Sequence, residues 1–133
     1  MDRFKRGAHA FEELCRVMAQ LRAPGGCPWD QEQTIESLKP YLLEEAYETL
    51  EAMSGDSDEE HCEELGDLLL QIVFQAEIKQ ETSFDIESVA KSITKKLIRR
   101  HPHVFADGEA SDPNAVKQSW EEIKASEKKY RKS

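Results

Sequence analysis

Glycine and proline, the residues that most readily interrupt regular structure, concentrate in two stretches of this chain, Ala23–Pro28 and Pro102–Pro113. Elsewhere the apolar residues recur at helical intervals, and no run sustains the period-two alternation of a half-buried strand. An all-α fold follows. Phe11, Leu14, Cys15, Met18 and Leu21 share one face of a first helix over about residues 8–21. A second is expected to begin near Thr34–Ser37 and to reach Met53, with Leu42, Leu43, Ala46, Leu50 and Met53 as its inward stripe. Ser54–Ser57 reads as a turn, and Ser57 with Glu60 has capping-box spacing for a third helix, Asp58–Gln80. A fourth, Ile86–Arg100, presents Ile86, Val89, Ala90, Ile93 and Leu97, and Pro102 ends it. Asp112 as N-cap and Pro113 at the first helical position open a fifth, with Val116, Trp120 and Ile123 inward. Residues 125–133 are expected to fray. Short connections between helices of this length predict an antiparallel bundle of about four core helices plus a C-terminal helix. The 133 residues suit one domain with its core at about residues 8–124.

Charge narrows the functional classes. A net charge of −9 disfavours a chain that coats a nucleic acid polymer, because phosphate neutralisation needs a basic surface. A small polyanionic ligand is still compatible, provided a cation inverts the local field. Three cysteines, Cys15, Cys27 and Cys62, are an odd number with no CxxC pair, which argues against a disulfide framework and against a thiolate zinc site. No apolar run approaches the ~20 residues that span a bilayer, and the first residues lack the apolar core of a signal peptide. The expected location is the cytoplasm, with no membrane partner.

The carboxylates carry the chemistry. On the second helix Glu44, Glu45, Glu48 and Glu51 fall within an arc of about 120°, broadly opposite the apolar stripe. A solvated face accounts for such an arc, although Glu44–Glu48 and Glu45–Glu48 repel at helical spacing. The third helix is more restrictive. Glu64 and Asp67 stand three apart beside the run Leu65–Ile78, so apolar around its circumference that it is expected to be surrounded by protein. A carboxylate there needs a cation, strong donors or a raised pKa. Glu45-x-x-Glu48 and Glu64-x-x-Asp67 lie on consecutive helices joined by a short turn, and antiparallel packing brings such pairs face to face. Four carboxylates without histidine or thiolate select a hard cation, Mg²⁺ or alternatively Mn²⁺. Gly66 either admits a close helix neighbour or serves simple packing.

The segments LRAPGGCPWDQEQT, YLLEEAYE, EELGDLLLQIVFQA, KLIRRHPHVF and WEEIK, in that order, resemble a MazG domain of the all-α nucleotide pyrophosphohydrolases from about Leu21 to Lys124. The resemblance implies an all-α MazG-like fold and a homo-oligomer, usually a dimer. It also implies water attack on the α-phosphorus of a nucleoside triphosphate, with release of pyrophosphate. It places metal ligands on Glu45, Glu48, Glu64 and Asp67. Glu44 or Glu45 is the candidate general base; spacing alone does not separate ligand from base.

The same resemblance turns the basic patch at the end of the fourth helix, Lys95, Lys96, Arg99 and Arg100, toward the triphosphate, with contacts from Lys96, Arg99 and Arg100. Physical chemistry alone is equally satisfied by compensation of the helix dipole. Trp29 either stacks on a base or plugs the bundle end. His101 and His103 have no further ligands near them in sequence and read as structural or substrate-edge residues. Three alternatives stay open: a catalytically silent MazG-like module for nucleotide binding or dimerisation, a narrower dUTPase or phosphoribosyl-ATP pyrophosphohydrolase, and a helical adaptor.

Overall fold

The computed structural model describes residues 2–109 and 112–131, with side chains to residue 128. Every element among them is helical: α1 (Arg3–Arg22), α2 (Pro28–Glu32), α3 (Ile35–Met53), α4 (Asp58–Lys79), α5 (Ile86–Arg100), α6 (Pro102–Phe105) and α7 (Pro113–Arg131). The all-α expectation holds. The helices gather into two compact units, Met1–Ile86 and Glu87–Ser133.

In the first unit the helix ends are set by side-chain caps. Asp2 accepts from the Lys5 backbone N–H at 2.9 Å and starts α1 five residues earlier than the apolar periodicity alone indicates. Thr34 and Ser37 form a reciprocal capping box at α3, and Ser57 accepts from the Glu60 N–H at 3.1 Å to open α4. Asp58, Glu59 and Glu60 fill the first turn of α4, where the helix dipole favours anions.

Between α1 and α3 the two-glycine turn is sterically required. Gly25 takes φ 85°, and a Cβ on Gly26 would collide with the Leu21 and Gln20 carbonyl oxygens. The turn delivers α2, a five-residue helix too short to show periodicity, which the sequence pattern does not predict. Arg22 pins it, donating from Nη1 to the Asp30 carbonyl oxygen at 2.5 Å and to that of Gln33 at 3.2 Å.

Met18, Leu38, Val73 and Phe74 form the core of this unit, flanked by Phe11, Leu14, Leu21 and Leu70. Each large apolar side chain so buried contributes about 1.5–3 kcal/mol. Helix α1 therefore packs as its pattern predicts. Helix α3 does not. Its buried residues are Leu38, Thr49 and Ala52, whereas the expected inward stripe is open: Leu43 is 60% exposed, Leu50 56% and Met53 61%. On α4 Leu65, Leu69 and Ile72 are likewise exposed, so this helix is not enclosed on all sides by its own chain. The closely packed α3–α4 seam favours the smaller Thr49 and Ala52, and the larger apolar residues are left facing outward.

In the second unit no residue of α5 is fully buried, and Ile93 and Leu97 stay about half exposed, contrary to the inward stripe expected of them. Asp112 caps α7 as predicted, accepting from the Ala115 N–H at 2.9 Å. Helix α7 runs on to Arg131, so the fraying expected from residue 125 is not found within the described part. Glu127 explains the extra turns through its ion pairs with Arg99 and Arg100. Val116 and Ile123 are half-buried, while Trp120 remains 37% exposed against the His101 ring.

Candidate active site

Helices α3 and α4 are joined by the turn at Ser54–Ser57 and lie side by side, so Glu45 falls across from Asp67 and Glu48 from Glu64. One carboxylate oxygen from each of these four residues lies within 4.8 Å of the others. Glu45, Glu48 and Glu64 are half-buried and Asp67 is exposed, so the cluster sits in the helix seam with its mouth at Asp67. The expectation of a buried Asp67 is thereby corrected: the outer side of α4 is open at this level.

Local geometry holds the seam closed. The Thr49 hydroxyl donates to the Glu45 carbonyl oxygen at 2.8 Å and also reaches the Glu64 carbonyl oxygen at 3.4 Å. One side chain thus ties the turn of α3 that bears Glu45 to the turn of α4 that bears Glu64. The sequence pattern does not single it out. A β-branched hydroxyl residue directly after Glu48 and one helical turn from Glu45 is the available signal.

The electrostatics show what the cluster lacks. Burial, then repulsion from Glu48 and Asp67, pushes the Glu45 carboxyl up to about 7. Glu64 is raised by the same sequence of causes, burial first and then Glu48 and Asp67. Glu45 Oε2 and Glu64 Oε2 are shut off from solvent and have no hydrogen-bond donor. No cationic side chain is among the causes acting on either group. Enclosed carboxylate oxygens without a donor are costly unless protonated or bound to a cation. An all-oxygen donor set of this kind fits a hard divalent ion.

Other predicted residues fall elsewhere. Glu44 is exposed and is not one of the four clustered carboxylates. Gly66 has open space where a Cβ would stand, so it is not forced by a close neighbour within the chain. Trp29, the second residue of α2, lies edge-on to Tyr41 at 5.7 Å and to Phe74 at 6.4 Å between ring centroids, with 47% of its surface exposed. Tyr41 and the core residue Phe74 support it edge-on, and the rest of its surface is open.

In the second unit Lys96 is half-buried on α5, and Arg99 and Arg100 are paired with Glu127. His101 donates from Nδ1 to the Leu97 carbonyl oxygen at 2.6 Å, satisfying an α5 C-terminal acceptor, while His103 Nδ1 is enclosed without a partner. Glu127 was missed because it stands in a lysine-rich tail. Its spacing continues the Val116, Trp120, Ile123 stripe by one turn, which was the signal for it.

Residues 33–105, more than half of the chain, match the MazG nucleotide pyrophosphohydrolase domain, and the chain belongs to that family. Among its relatives, nucleoside triphosphate pyrophosphohydrolase/pyrophosphatase MazG of Thermotoga maritima is 53% identical over 124 residues, 92% of this chain and 47% of that protein. The nucleoside triphosphate pyrophosphohydrolase of Escherichia coli (strain K12) is 46% identical over 120 residues, 89% of this chain and 46% of that protein. The chain spans about half the length of these relatives. The crystal structure of a mazG-related protein from Thermotoga maritima superposes with a TM-score of 0.70 at 27% identity, covering 86% of this chain and 98% of that one.

Proposed function

We propose that this chain is a Mg²⁺-dependent nucleoside triphosphate pyrophosphohydrolase, cleaving the bond between the α and β phosphates to give a monophosphate and pyrophosphate. The observation that carries the reading is the convergence of Glu45, Glu48, Glu64 and Asp67 with oxygens within 4.8 Å of one another. These four residues would hold the cation, with Mn²⁺ as the alternative occupant. When bound, it supplies polarisation of the phosphate oxygens and a more acidic water.

The remaining tasks fall to the chain's own groups. A carboxylate oxygen of Glu44 or Glu45 accepts the proton of the attacking water; Glu44 is the α3 carboxylate beside the cluster but outside it. Trp29 offers its exposed indole surface to a base. Its neighbour Tyr41 precedes Glu45 by one helical turn, about 6 Å along the axis, so the aromatic and acidic groups occupy successive turns of α3. Lys96, Arg99 and Arg100 supply cationic donors for the triphosphate oxygens.

The chain is a single MazG-like domain in this reading, and it works as a homodimer. The exposed apolar residues of α3 and α4, Leu43, Tyr47, Leu50, Leu65 and Ile72, support a second copy as their cover, since monomers rarely leave so many large apolar side chains open. No helix among the described residues is long and apolar enough to cross a membrane, and the three cysteines are free. Both features suit a cytoplasmic enzyme.

The test is product analysis with a panel of nucleoside triphosphates and Mg²⁺, alongside Glu48→Gln. Monophosphate plus pyrophosphate from the wild type, abolished in the variant, is the expected result. Nucleotide binding without turnover identifies a silent module. Diphosphate plus orthophosphate means a different bond is cut.

A further inference from the structure

Among the described residues, four enclosed side-chain atoms lack a hydrogen-bond partner, and three of them stand on the α3–α4 hairpin: Glu45 Oε2, Glu64 Oε2 and Gln71 Oε1. A cation in the acidic cluster accounts for the two carboxylate oxygens. Gln71 is not one of the clustered residues, and its amide oxygen is an acceptor that the fold leaves unsatisfied. The residue is only 7% exposed, so the surface supplies no ready donor. An enclosed acceptor of this kind is costly unless something donates to it.

Its place on α4 says what that donor lies near. Seven residues separate Glu64 from Gln71, a rotation of about 700°, so the two point within about 20° of one direction. Asp67 stands one turn before Gln71. Glu64, Asp67 and Gln71 thus form one stripe on the face that α4 turns toward α3. Helical side chains lean toward the N-terminus of their helix, so Gln71 leans back toward the turn that carries Asp67. Beyond it, Leu38 and Phe74 close the seam with core packing. The Gln71 amide therefore lies between the acidic cluster and the core, at the closed end of the seam.

We propose that Gln71 is a positioning residue whose Oε1 accepts a hydrogen bond from a water molecule held at the closed end of the acidic cluster, orienting that water for attack on the α-phosphorus. The assignment rests on the hydrolase reading and deepens it. An amide suits the task because it accepts a hydrogen bond without taking the proton. Of the water's two O–H groups, Gln71 holds one and the other is directed at the glutamate that acts as base, which leaves a lone pair for phosphorus. As the oxygen bonds to phosphorus, the bond to the α–β bridging oxygen breaks and pyrophosphate departs with its electron pair. One proton passes to the glutamate. The second stays on the oxygen, now part of the monophosphate, until solvent takes it. If Gln71 served packing alone, methionine, of similar length and volume, would do as well.

The experiment compares wild type with Gln71→Met in three measurements: a crystal structure with Mg²⁺ bound, calorimetric Mg²⁺ affinity together with Tm in chelator, and pyrophosphate release from a nucleoside triphosphate. The wild-type structure is expected to show a water within hydrogen-bond distance of Gln71 Oε1, and the variant none at that position. Mg²⁺ affinity and KM should stay within about twofold while kcat falls about 100-fold, the scale of loss that a misplaced reactant brings. Tm in chelator should equal or exceed that of wild type, because an unsatisfied buried acceptor has been removed. Absence of a water on Oε1 in the wild-type Mg²⁺ complex overturns the proposal, and that result does not depend on the variant's folding. An unchanged kcat also overturns it. So does a KM that rises with kcat unmoved, which makes Gln71 a contact to the substrate, or a matching loss of Mg²⁺ affinity, which makes it a prop for the ligand set. A water on Oε1 in a chain that releases no pyrophosphate sinks the hydrolase reading and sustains Gln71 as the acceptor of that water. Pyrophosphate release left intact by Gln71→Met does the reverse.

Discussion

Thr49 stands one helical turn after Glu45 and returns its hydroxyl to the Glu45 carbonyl oxygen at 2.8 Å, while lying 3.4 Å from the Glu64 carbonyl oxygen of the facing helix. The contact sets the spacing at which the two helices offer their carboxylates. Thr49→Val preserves the side-chain shape and removes the hydroxyl. We expect a loss of about 1 kcal/mol in urea denaturation and Mg²⁺ affinity weakened about tenfold, as for other groups that orient ligands. Unchanged Mg²⁺ affinity would show that the seam holds its spacing without this bond.

The Glu45 carboxyl, raised to about 7 from 4.5 by burial and by its acidic neighbours, gives the metal-free protein a characteristic pH dependence. Between those values the folded state keeps a proton that the unfolded chain has released. Stability therefore falls as pH rises through this window and stays low above it. Glu64 is raised in the same direction. Glu127, lowered to about 2, has the opposite sign, but its contribution is lost only as pH falls below about 4.5. Thermal unfolding in a chelator should give a higher Tm near pH ~5.5 than near pH ~8, and saturating Mg²⁺ should narrow the difference. A metal-free Tm that climbs across this interval contradicts the assignment.

Asp67 forms the exposed lip of the cluster and contributes repulsion to both Glu45 and Glu64. Asp67→Asn removes a charge and keeps the shape. The metal-free variant should be a few degrees more stable than wild type, while its Mg²⁺ affinity drops at least about 100-fold, beyond the loss typical of outer-shell changes. Paired melting curves with and without Mg²⁺ measure both. A variant less stable than wild type in chelator would mean that Asp67 makes a favourable contact in the metal-free fold.

The turn before α2 allows a comparison of two neighbouring glycines. Gly25 has φ 85° and open space around it, so Gly25→Ala should cost about 1 kcal/mol in backbone strain. A Cβ on Gly26 would run into the Leu21 and Gln20 carbonyl oxygens, which are backbone and cannot swing aside. Gly26→Ala should cost about 2–3 kcal/mol and loosen the α2 helix that carries Trp29, which tryptophan fluorescence follows. Equal destabilisation by the two variants would refute the steric argument.

Much of this architecture is legible in the residues themselves. Glu45-x-x-Glu48 and Glu64-x-x-Asp67 are read correctly as facing pairs because each spacing is one helical turn and the intervening turn is short. The inner face of α1, with Met18 at its centre, follows from period alone. The orientation of α3 does not. Leu43, Leu50 and Met53 are more hydrophobic than Thr49 and Ala52, and apolar residues suited to another protein surface have the same sequence signature as those suited to a core. The seam favours small residues, a preference set by tertiary distance rather than hydropathy. Helix α2 is shorter than two turns and gives no periodic signal. Glu127 is hidden for another reason: its partners Arg99 and Arg100 lie 28 and 27 residues earlier, and a charged residue in a basic tail reads as solvated until that pairing is known.

All four clustered carboxylates come from a single helical hairpin, Glu45 to Asp67, whose connection is the turn at Ser54–Ser57. The acidic centre is consequently contiguous in the gene, and a duplication or fusion with breakpoints outside this hairpin carries it over whole. Its sensitivity to insertions is uneven along that stretch. An extra residue in the turn lengthens a loop, whereas one inserted between Glu48 and Met53 rotates everything before it by about 100° relative to the turn. Length variation is therefore permitted at the apex of the hairpin and forbidden along its arms.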